Sequence, residues 1–279
     1  MGKTSANRGG RDANSPAAIR KFRRWISEGA ILVLDFDGTL VPICEKPSQV
    51  RLGAQERAWI RGAWVAQSGR VVLLSGRSPW DLAQLTRNLG PIQRLGNHGA
   101  RGLKFRKQSR PWAVFLNRFL KEEKGVWVED KGESLCVHYR GARNRTQARR
   151  QIAEGVRMLK GARSFGGKCV VNVLPEGAPD KADAVLRILE RGQPGSRVIF
   201  MGDDETDERV FRRVRALGLE SRVQGVSVGR LTETNAPWAL GGQREVLPWL
   251  KKIAPQDDAR LDSQGHENSR KSGRKSAQK

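Results

Sequence analysis

The sequence predicts an α/β fold, with a Rossmann-like core built on a parallel sheet and an α+β domain inserted into that core. Two observations lead to this prediction. Short aliphatic runs alternate with helical stretches in the first and last parts of the chain, which is typical of parallel βαβ units with helices on both faces of the sheet. The middle of the chain instead shows two strand pairs, each beside a helix, and this order favours an antiparallel sheet.

The core elements follow from apolar runs and from the polar residues that end them. We expect core strands at Ile31–Asp35, Arg70–Ser75, Arg197–Gly202 and Gln224–Val228. The accompanying helical stretches are Leu52–Gln67, Pro79–Leu89, Ala182–Leu189 and Asp204–Leu217. These elements assign residues 25–108 and 177–254 to the core.

The inserted domain is predicted at residues 109–176. Its expected helices are Trp112–Lys121 and Thr146–Leu159. Its expected strands are Val126–Glu129, Ser134–Tyr139, Arg163–Phe165 and Lys168–Leu174. Residues 1–24 and 255–279 are predicted to be disordered basic tails, because they offer little to bury. We therefore expect that deleting residues 1–20 and 255–279 leaves the function of the core intact.

The chain carries a formal net charge of +23 over 279 residues. Residues 1–24 hold seven Lys or Arg against one acid, and residues 251–279 hold eight against four, so most of the excess belongs to the body of the chain. A basic surface attracts polyanions, both small phosphorylated molecules and nucleic acid, although an arginine-rich composition explains the charge equally well. Since no RNA-binding aromatic motif or helix-turn-helix signature is present, nucleic-acid binding through the tails is a minor alternative.

Several other classes of protein are disfavoured. No apolar run approaches the length of a transmembrane helix, and the first residues show no secretory signal. The three cysteines, Cys44, Cys136 and Cys169, are odd in number and widely spaced, which argues against a disulfide framework or a zinc knuckle and favours a reducing cytoplasm. No obligate protein partner is evident from the sequence.

Polar groups follow three of the predicted core strands. They are Asp35 and Asp37, then Ser75, then Asp203 and Asp204. Ligands of open α/β sheets bind beyond the carboxyl ends of the strands, so we expect these side chains to converge on one site.

Two acidic motifs suggest a cation at that site. In DFDGTL, Asp35 and Asp37 are close enough to need a cation or a shared proton, and Gly38 permits a tight turn; a solvated Asp turn is the simpler alternative for the D-x-D pair alone. GDDETDE, from Gly202 to Glu208, holds five acids in six residues. Part of that acidity suits a helix start, but such density also suits Mg²⁺.

Two further segments offer partners for a phosphate. Ser75 can donate a hydroxyl hydrogen bond, and Arg77, after Gly76, can pair with an anion. Lys181 precedes a predicted helix, where a positive charge opposes the helix dipole and calls for an anion nearby. Each segment alone has a simpler structural interpretation: Ser75–Arg77 as a turn, and Lys181 as a solvated lysine.

Four segments, in their order along the chain, resemble the haloacid dehalogenase superfamily of phosphohydrolases: DFDGTL, SGR (Ser75–Arg77), Lys181 and GDDETDE. GNHG (Gly96–Gly99), EDKGESLCVHYR (Glu129–Arg140) and GDDETDE further resemble the trehalose-6-phosphate phosphatase family. The resemblance covers roughly residues 25–250.

The resemblance implies a role for each matching position. Asp35 would be the nucleophile that forms an aspartyl-phosphate, and Asp37 would be the general acid and then the base. Mg²⁺ would be held by Asp35, Asp203 and the backbone carbonyl of Asp37, with Asp204 and Asp207 as auxiliary ligands. The phosphoryl group would be bound by Ser75 and the catalytic Lys181, and Gly76 and Arg77 would be further substrate-binding residues.

The resemblance also implies a substrate. Glu129 and Lys131, in an insert that acts as a cap, would hydrogen-bond the hydroxyls of a small sugar phosphate, which makes trehalose 6-phosphate the expected substrate. Three positions depart from the family pattern: Asn172 replaces a common glutamate, Ala182 a glycine and Arg101 an acid. Asn172 can still bind a hydroxyl but without charge.

These departures leave other functions open. The phosphate of another disaccharide or of a sugar acid is the nearest alternative substrate. A phosphotransferase would use the same aspartyl-phosphate with an alcohol as acceptor. A non-catalytic module that binds polyanions is a remote alternative, since the expected catalytic residues are all present.

Overall fold

The structure, a computed structural model, describes residues 9–44, 47–66, 70–100, 103–167, 169–229 and 232–254. Its strands are β1 (Arg11–Asp12), β2 (Ile31–Leu34), β3 (Val71–Leu74), β4 (Gln93–Leu95), β5 (Trp127–Asp130), β6 (Leu135–His138), β7 (Ala162–Gly167), β8 (Val170–Pro175), β9 (Val198–Gly202), β10 (Val223–Val228) and β11 (Trp238–Leu240). Its α-helices are α1 (Pro16–Ser27), α2 (Ala54–Ala66), α3 (Pro79–Leu85), α4 (Leu103–Phe119), α5 (Arg145–Arg157), α6 (Lys181–Arg191), α7 (Glu205–Ala216) and α8 (Val246–Ile253). None of the helices in these ranges has the length and apolar character needed to cross a membrane.

The larger sheet is parallel and has the order β1-β11-β10-β9-β2-β3-β4. Its central strands β2, β3, β9 and β10 are almost wholly buried, as aliphatic runs such as ILVL and VIFM predict. One face packs against α1, α2, α3 and α8, and the other packs against α6 and α7. The predicted α/β fold class is therefore confirmed.

The middle of the chain forms a second sheet, antiparallel, with the order β5-β6-β8-β7. Helices α4 and α5 cover one face and bury Trp112, Leu116, Ile152 and Val156 against it. The other face is turned toward the carboxyl ends of β2 and β3, where one cleft is lined by both sheets. We call this α+β unit the cap.

The predicted N-terminal tail is wrong for residues 11–24. Strand β1 pairs with β11 at the edge of the core sheet, and α1 begins at Pro16 with Ser15 as its N-cap. Phe22 is fully buried, with its ring 5.0 Å from that of Trp249 and edge-on to it. The basic residues of α1 had suggested a tail, but they lie on one side of an amphipathic helix whose other side is core. Deleting residues 1–20 is therefore expected to damage the core.

The cap also begins differently from the prediction. Helix α4 starts at Leu103 and runs through the expected boundary at residue 109, with Pro111 inside it. A proline normally ends a helix, but here Trp112 and Leu116 anchor the helix to the cap core. The division of the chain into domains otherwise stays a prediction, and the expected tail at 255–279 and the departure at Arg101 lie outside the described residues.

Candidate active site

Asp35 follows β2 directly, and its side chain is buried. The ammonium of Lys181, the first residue of α6, donates to Asp35 Oδ1 at 2.7 Å and to Asp207 Oδ1 at 2.7 Å. Burial alone would lower the pKa of Lys181, but the carboxylates of Asp207 and Asp35 raise it well above its ordinary value. Lys181 therefore stays protonated, and these two aspartates supply the anionic partners that its place at a helix start calls for.

The charge of Asp35 is costly in this position. Burial raises the pKa of Asp35 to about 7, against the opposing effect of Lys181 and with a further rise from Asp203. Its ionised form is therefore sensitive to any cation that approaches from the cleft.

The second acidic motif forms the start of α7. Asp204 Oδ1 accepts from the backbone N–H groups of Thr206 at 2.8 Å and Asp207 at 3.1 Å. Asp207 Oδ2 accepts in return from the N–H groups of Asp203 at 2.9 Å and Asp204 at 3.1 Å. This reciprocal capping accounts for part of the acidity of the motif, and it places the Asp203 carboxylate beside Asp35.

The resulting group of carboxylates fits a hard divalent cation. Oxygen atoms of Asp35, Asp203 and Asp207 lie within 4.8 Å of one another, and all three residues are buried. Lys181 contributes one positive charge, but burial and the neighbouring carboxylates still raise the pKa of Asp207 well above its ordinary value, so the group lacks compensating positive charge. Gly38 borders the group with φ +89°, and a Cβ there would lie 2.3 Å from Asp203 Oδ2. The donor set and the space kept for Asp203 both suit Mg²⁺.

The predicted metal ligands are not equivalent in the structure. Both carboxylate oxygens of Asp207 already have partners, Lys181 on one side and two backbone N–H groups on the other. Asp204 lies outside the group of three and serves as the N-cap of α7. Asp203 accepts a hydrogen bond from Thr39 Oγ1 at 3.3 Å, a contact that no pattern in the sequence indicates.

Asp37 is held by Arg77. The guanidinium donates from Nε to Asp37 Oδ2 at 2.7 Å and from Nη2 to Oδ1 at 2.6 Å. Ser75 is fully buried, and its Oγ accepts from the backbone N–H of Arg77 at 3.1 Å. Arg77, which we had expected to meet an anionic ligand, thus forms a two-pronged ion pair with Asp37 in this structure.

The cap brings its polar residues to the same cleft because its strands alternate. Glu129, Cys136 and Asn172 are direct partners on β5, β6 and β8, so they share one face. His138 lies two residues after Cys136 on that face, and its Nε2 is 2.8 Å from Glu129 Oε2. Lys131 Nζ lies 3.8 Å from the same oxygen.

The charged side chains on this face stabilise one another in their ionised forms. Burial favours a neutral Glu129, but the hydrogen bond with His138 and the charge of Lys131 hold the pKa of Glu129 below its ordinary value. Burial would likewise lower the pKa of His138, but hydrogen bonds to Cys136 and Glu129 raise it to about 9. Glu129 and His138 are therefore an ion pair at neutral pH.

Two contacts join the cap directly to the core. Lys131 Nζ donates to the carbonyl oxygen of Gly76 at 2.7 Å. Asn172 Oδ1 lies 3.3 Å from Nε2 of His98, a buried residue of the GNHG motif. Burial and the charges of Lys181 and Lys131 lower the pKa of His98 to about 3, so the imidazole is neutral. The sequence predicts no role for His98, because its contact with the cap depends on how the two sheets meet.

Comparison with known proteins identifies the family. The family described as Trehalose-phosphatase matches residues 33–243. The chain belongs to this family. Trehalose-6-phosphate phosphatase of Escherichia coli (strain K12) is 30% identical over 233 residues, which cover 78% of this chain and 84% of that relative. A probable trehalose-phosphate phosphatase of Sinorhizobium fredii is 34% identical over 202 residues, covering 67% of this chain and 74% of the relative.

The fold of this trehalose-phosphatase family member also has a solved counterpart. The C-terminal domain of the Candida albicans trehalose-6-phosphate phosphatase matches it with a TM-score of 0.72 and 18% identity, covering 90% of this chain and 100% of that one. Family membership makes the chain a phosphatase and confirms the predicted resemblance and enzyme class. The individual roles of the site residues stay predictions.

Proposed function

We propose that this trehalose-phosphatase family member hydrolyses trehalose 6-phosphate to trehalose and phosphate through an aspartyl-phosphate on Asp35. The observation that carries the proposal is the single cleft in which the buried Asp35 and Lys181 face Glu129 and Lys131 of the cap. The names of the relatives support the choice of sugar. Another disaccharide phosphate or a sugar-acid phosphate is the second candidate, favoured by Asn172 in place of the usual glutamate.

Asp35 would attack the phosphorus atom and displace the sugar oxygen. Lys181 would hold the Asp35 carboxylate in place through its 2.7 Å contact and donate to a phosphoryl oxygen with a remaining N–H. The Ser75 hydroxyl would be a second donor to the phosphoryl group.

Asp37 would give a proton to the leaving sugar oxygen and then take one from water. In the structure its two oxygens accept the guanidinium hydrogens of Arg77. This ion pair has to open before Asp37 can act, and a phosphate dianion is a suitable new partner for Arg77.

Mg²⁺ would be held by Asp35 and Asp203, with the backbone carbonyl of Asp37 and the support of Asp204 and Asp207. When bound, it would neutralise charge on the phosphate and on the paired carboxylates. The fit described above, three close buried carboxylates beside one lysine, supports this assignment.

The cap would bind the sugar. Glu129, Lys131 and Asn172 present a carboxylate, an ammonium and an amide on one face of the cleft, and such groups bind sugar hydroxyls by hydrogen bonds. Because Lys131 and Asn172 also contact the core, a sugar at this place would touch both parts of the molecule and exclude water from the phosphate.

The reaction is expected to take place in the cytoplasm, as the cysteine content predicts; the structure describes Cys44, Cys136 and Cys169 as free thiols. The proposed partner is the sugar phosphate alone. Nucleic-acid binding through the chain ends stays a minor prediction.

The first test measures phosphate release from trehalose 6-phosphate, sucrose 6-phosphate, glucose 6-phosphate and mannosyl-3-phosphoglycerate, each with Mg²⁺ and with EDTA. We expect trehalose 6-phosphate to be preferred, Mg²⁺ to be required and Asp35→Asn to be inactive. Preference for another sugar would overturn the substrate and leave the chemistry standing. Activity in Asp35→Asn would overturn the mechanism.

The covalent step has its own test. After acid quenching with labelled substrate, radioactive phosphate should remain on the protein and be released by hydroxylamine, which cleaves acyl phosphates. Asp35→Asn should retain no label. Equal labelling of that variant would show that Asp35 is not the acceptor.

A further inference from the structure

A second group of metal-ligating side chains lies in the cap, away from the carboxylates of the core. Ligand atoms of Glu129, Cys136 and His138 lie within 4.8 Å of one another. They comprise a carboxylate, a thiol and an imidazole, the three kinds of donor that zinc sites in proteins combine. Neither the assignment of Mg²⁺ nor the proposed reaction uses Cys136.

The backbone itself arranges this group. Glu129 and Cys136 are directly opposed on the antiparallel strands β5 and β6, and His138 follows Cys136 by two residues, so all three share one face of the sheet. The register is firmly set, because the alternate residues Leu135 and Val137 are buried in the cap core. A one-residue slip would bring these two apolar side chains into the cleft.

The imidazole is oriented before any metal arrives. The ring of His138 stacks on that of Trp127, with centroids 3.9 Å apart and planes 6° from parallel. Its Nε2 points to Glu129 Oε2 at 2.8 Å. A metal would take the place of the proton between these two atoms, and that proton would leave to solvent together with the thiol proton of Cys136. Outer contacts that fix the plane of a ligating histidine strengthen metal sites, and Trp127 provides such a contact here.

We infer that Glu129, Cys136 and His138 form a binding site for a thiolate-seeking divalent metal of the zinc class. Thiolate and imidazole donors select Zn²⁺ over Mg²⁺, which prefers oxygen alone. The Lys131 ammonium, 3.8 Å from Glu129, opposes a cation, but a bound thiolate and carboxylate bring two negative charges. Three protein ligands leave the fourth position open to water from the cleft.

Occupation of this site would inhibit the enzyme, a consequence that rests on the proposed function. A metal on Glu129 would withdraw that carboxylate from the sugar and place an ion in the cleft that the sugar has to enter. Zinc would thus act on substrate binding through the cap, while Mg²⁺ serves the core.

The test is cobalt binding to the whole chain in the presence of excess Mg²⁺, followed by absorption spectroscopy. Co²⁺ is a coloured substitute for Zn²⁺, and a thiolate ligand gives it an intense near-ultraviolet charge-transfer band that oxygen ligands do not give. We expect this band at one equivalent of Co²⁺ and its loss in Cys136→Ala and Cys136→Ser. Competition with Zn²⁺ should show that these variants bind Zn²⁺ more weakly than wild type. Loss of an outer contact costs roughly 10–100-fold in affinity, and we expect the loss of a ligand to cost more.

Cys44→Ala is the matched control, because Cys44 lines the same cleft outside the group. The band should survive in that variant and weaken in His138→Gln. Persistence of the band in Cys136→Ala, its loss in Cys44→Ala, or a spectrum of oxygen ligands alone would each overturn the proposal. The spectra need no substrate, so their failure is distinct from failure of trehalose 6-phosphate hydrolysis in the Mg²⁺ assay.

Discussion

At the level of single residues, the buried carboxylates of Asp35, Asp203 and Asp207, which we propose to be part of the metal site, oppose folding. They are buried within 4.8 Å of one another, and like charges in such a place repel. Lys181 offsets part of that repulsion through its contacts with Asp35 and Asp207. In the absence of a divalent cation, the remaining repulsion is a cost to stability.

Asp203→Asn should therefore stabilise the metal-free protein while it abolishes activity. The amide keeps an oxygen for the hydrogen bond from Thr39 and removes one negative charge, so we expect a gain of about 0.5–2 kcal/mol in the free energy of unfolding. The measurement is thermal unfolding in EDTA and in Mg²⁺. Mg²⁺ should raise the Tm of wild type and leave that of the variant unchanged; a variant that melts below wild type in EDTA would contradict this account.

His138 should make stability fall at alkaline pH. Its pKa is raised from 6.5 to about 9 in the folded chain, so folding favours the protonated form. The stabilisation is complete below pH 6.5 and is lost as the pH rises through about 9. In EDTA, the Tm difference between wild type and His138→Gln should shrink across that interval, and a constant difference would count against the ion pair with Glu129.

The sequence was sufficient to predict that Asp35, Ser75 and Asp203 lie close together, because each follows a strand of one parallel sheet. It was insufficient for pairs that depend on side-chain direction between distant segments. Arg77 binds Asp37 across 40 positions of the chain, and His98 meets Asn172 across 74. Neither pair leaves a periodic trace in the sequence.

At the level of elements, the aliphatic strands at the centre of the core sheet were predicted, and three short strands of that sheet were missed. Strands β2, β3, β9 and β10 are continuous buried runs, so their existence was predictable. Strands β1, β4 and β11 have two or three residues each, too few to show a period. They form because neighbouring strands offer them backbone partners, which only the tertiary fold decides.

A pair of substitutions in helix α1 can test whether this segment belongs to the core or is a tail. Phe22→Ala should lower the free energy of unfolding by about 3–5 kcal/mol, because it opens a cavity against Trp249. Arg20→Ala, on the exposed side of the same helix, is the matched control and should change it by less than about 0.5 kcal/mol. Denaturant unfolding measures both; equal and negligible effects would restore the interpretation of this segment as a tail.

At the level of the whole molecule, the net charge of +23 favours the approach of a phosphate dianion. The positive charge is spread over the chain, whereas the acids of DFDGTL and GDDETDE are collected at one edge of the sheet. Basic residues elsewhere in the chain can thus attract the substrate, even though the site itself is rich in acidic residues.

The rate should accordingly depend on ionic strength. We expect kcat/KM for trehalose 6-phosphate to fall severalfold as salt is raised from low to physiological concentration, because screening weakens attraction over distances beyond about 8 Å. The kcat at saturating substrate should change much less. If kcat/KM does not respond to salt at constant Mg²⁺, the surface charge has no part in substrate capture.

The contacts of Lys131 with Gly76 and of Asn172 with His98 hold the cap onto the core without help from a sugar. If substrate enters only while both contacts are broken, the open fraction of the molecules limits binding. The apparent dissociation constant is then the intrinsic one divided by that open fraction. Lys131 and Asn172 would then act on affinity in two opposite ways, because their contacts with the core lower the open fraction and their proposed contacts with the sugar favour the bound state.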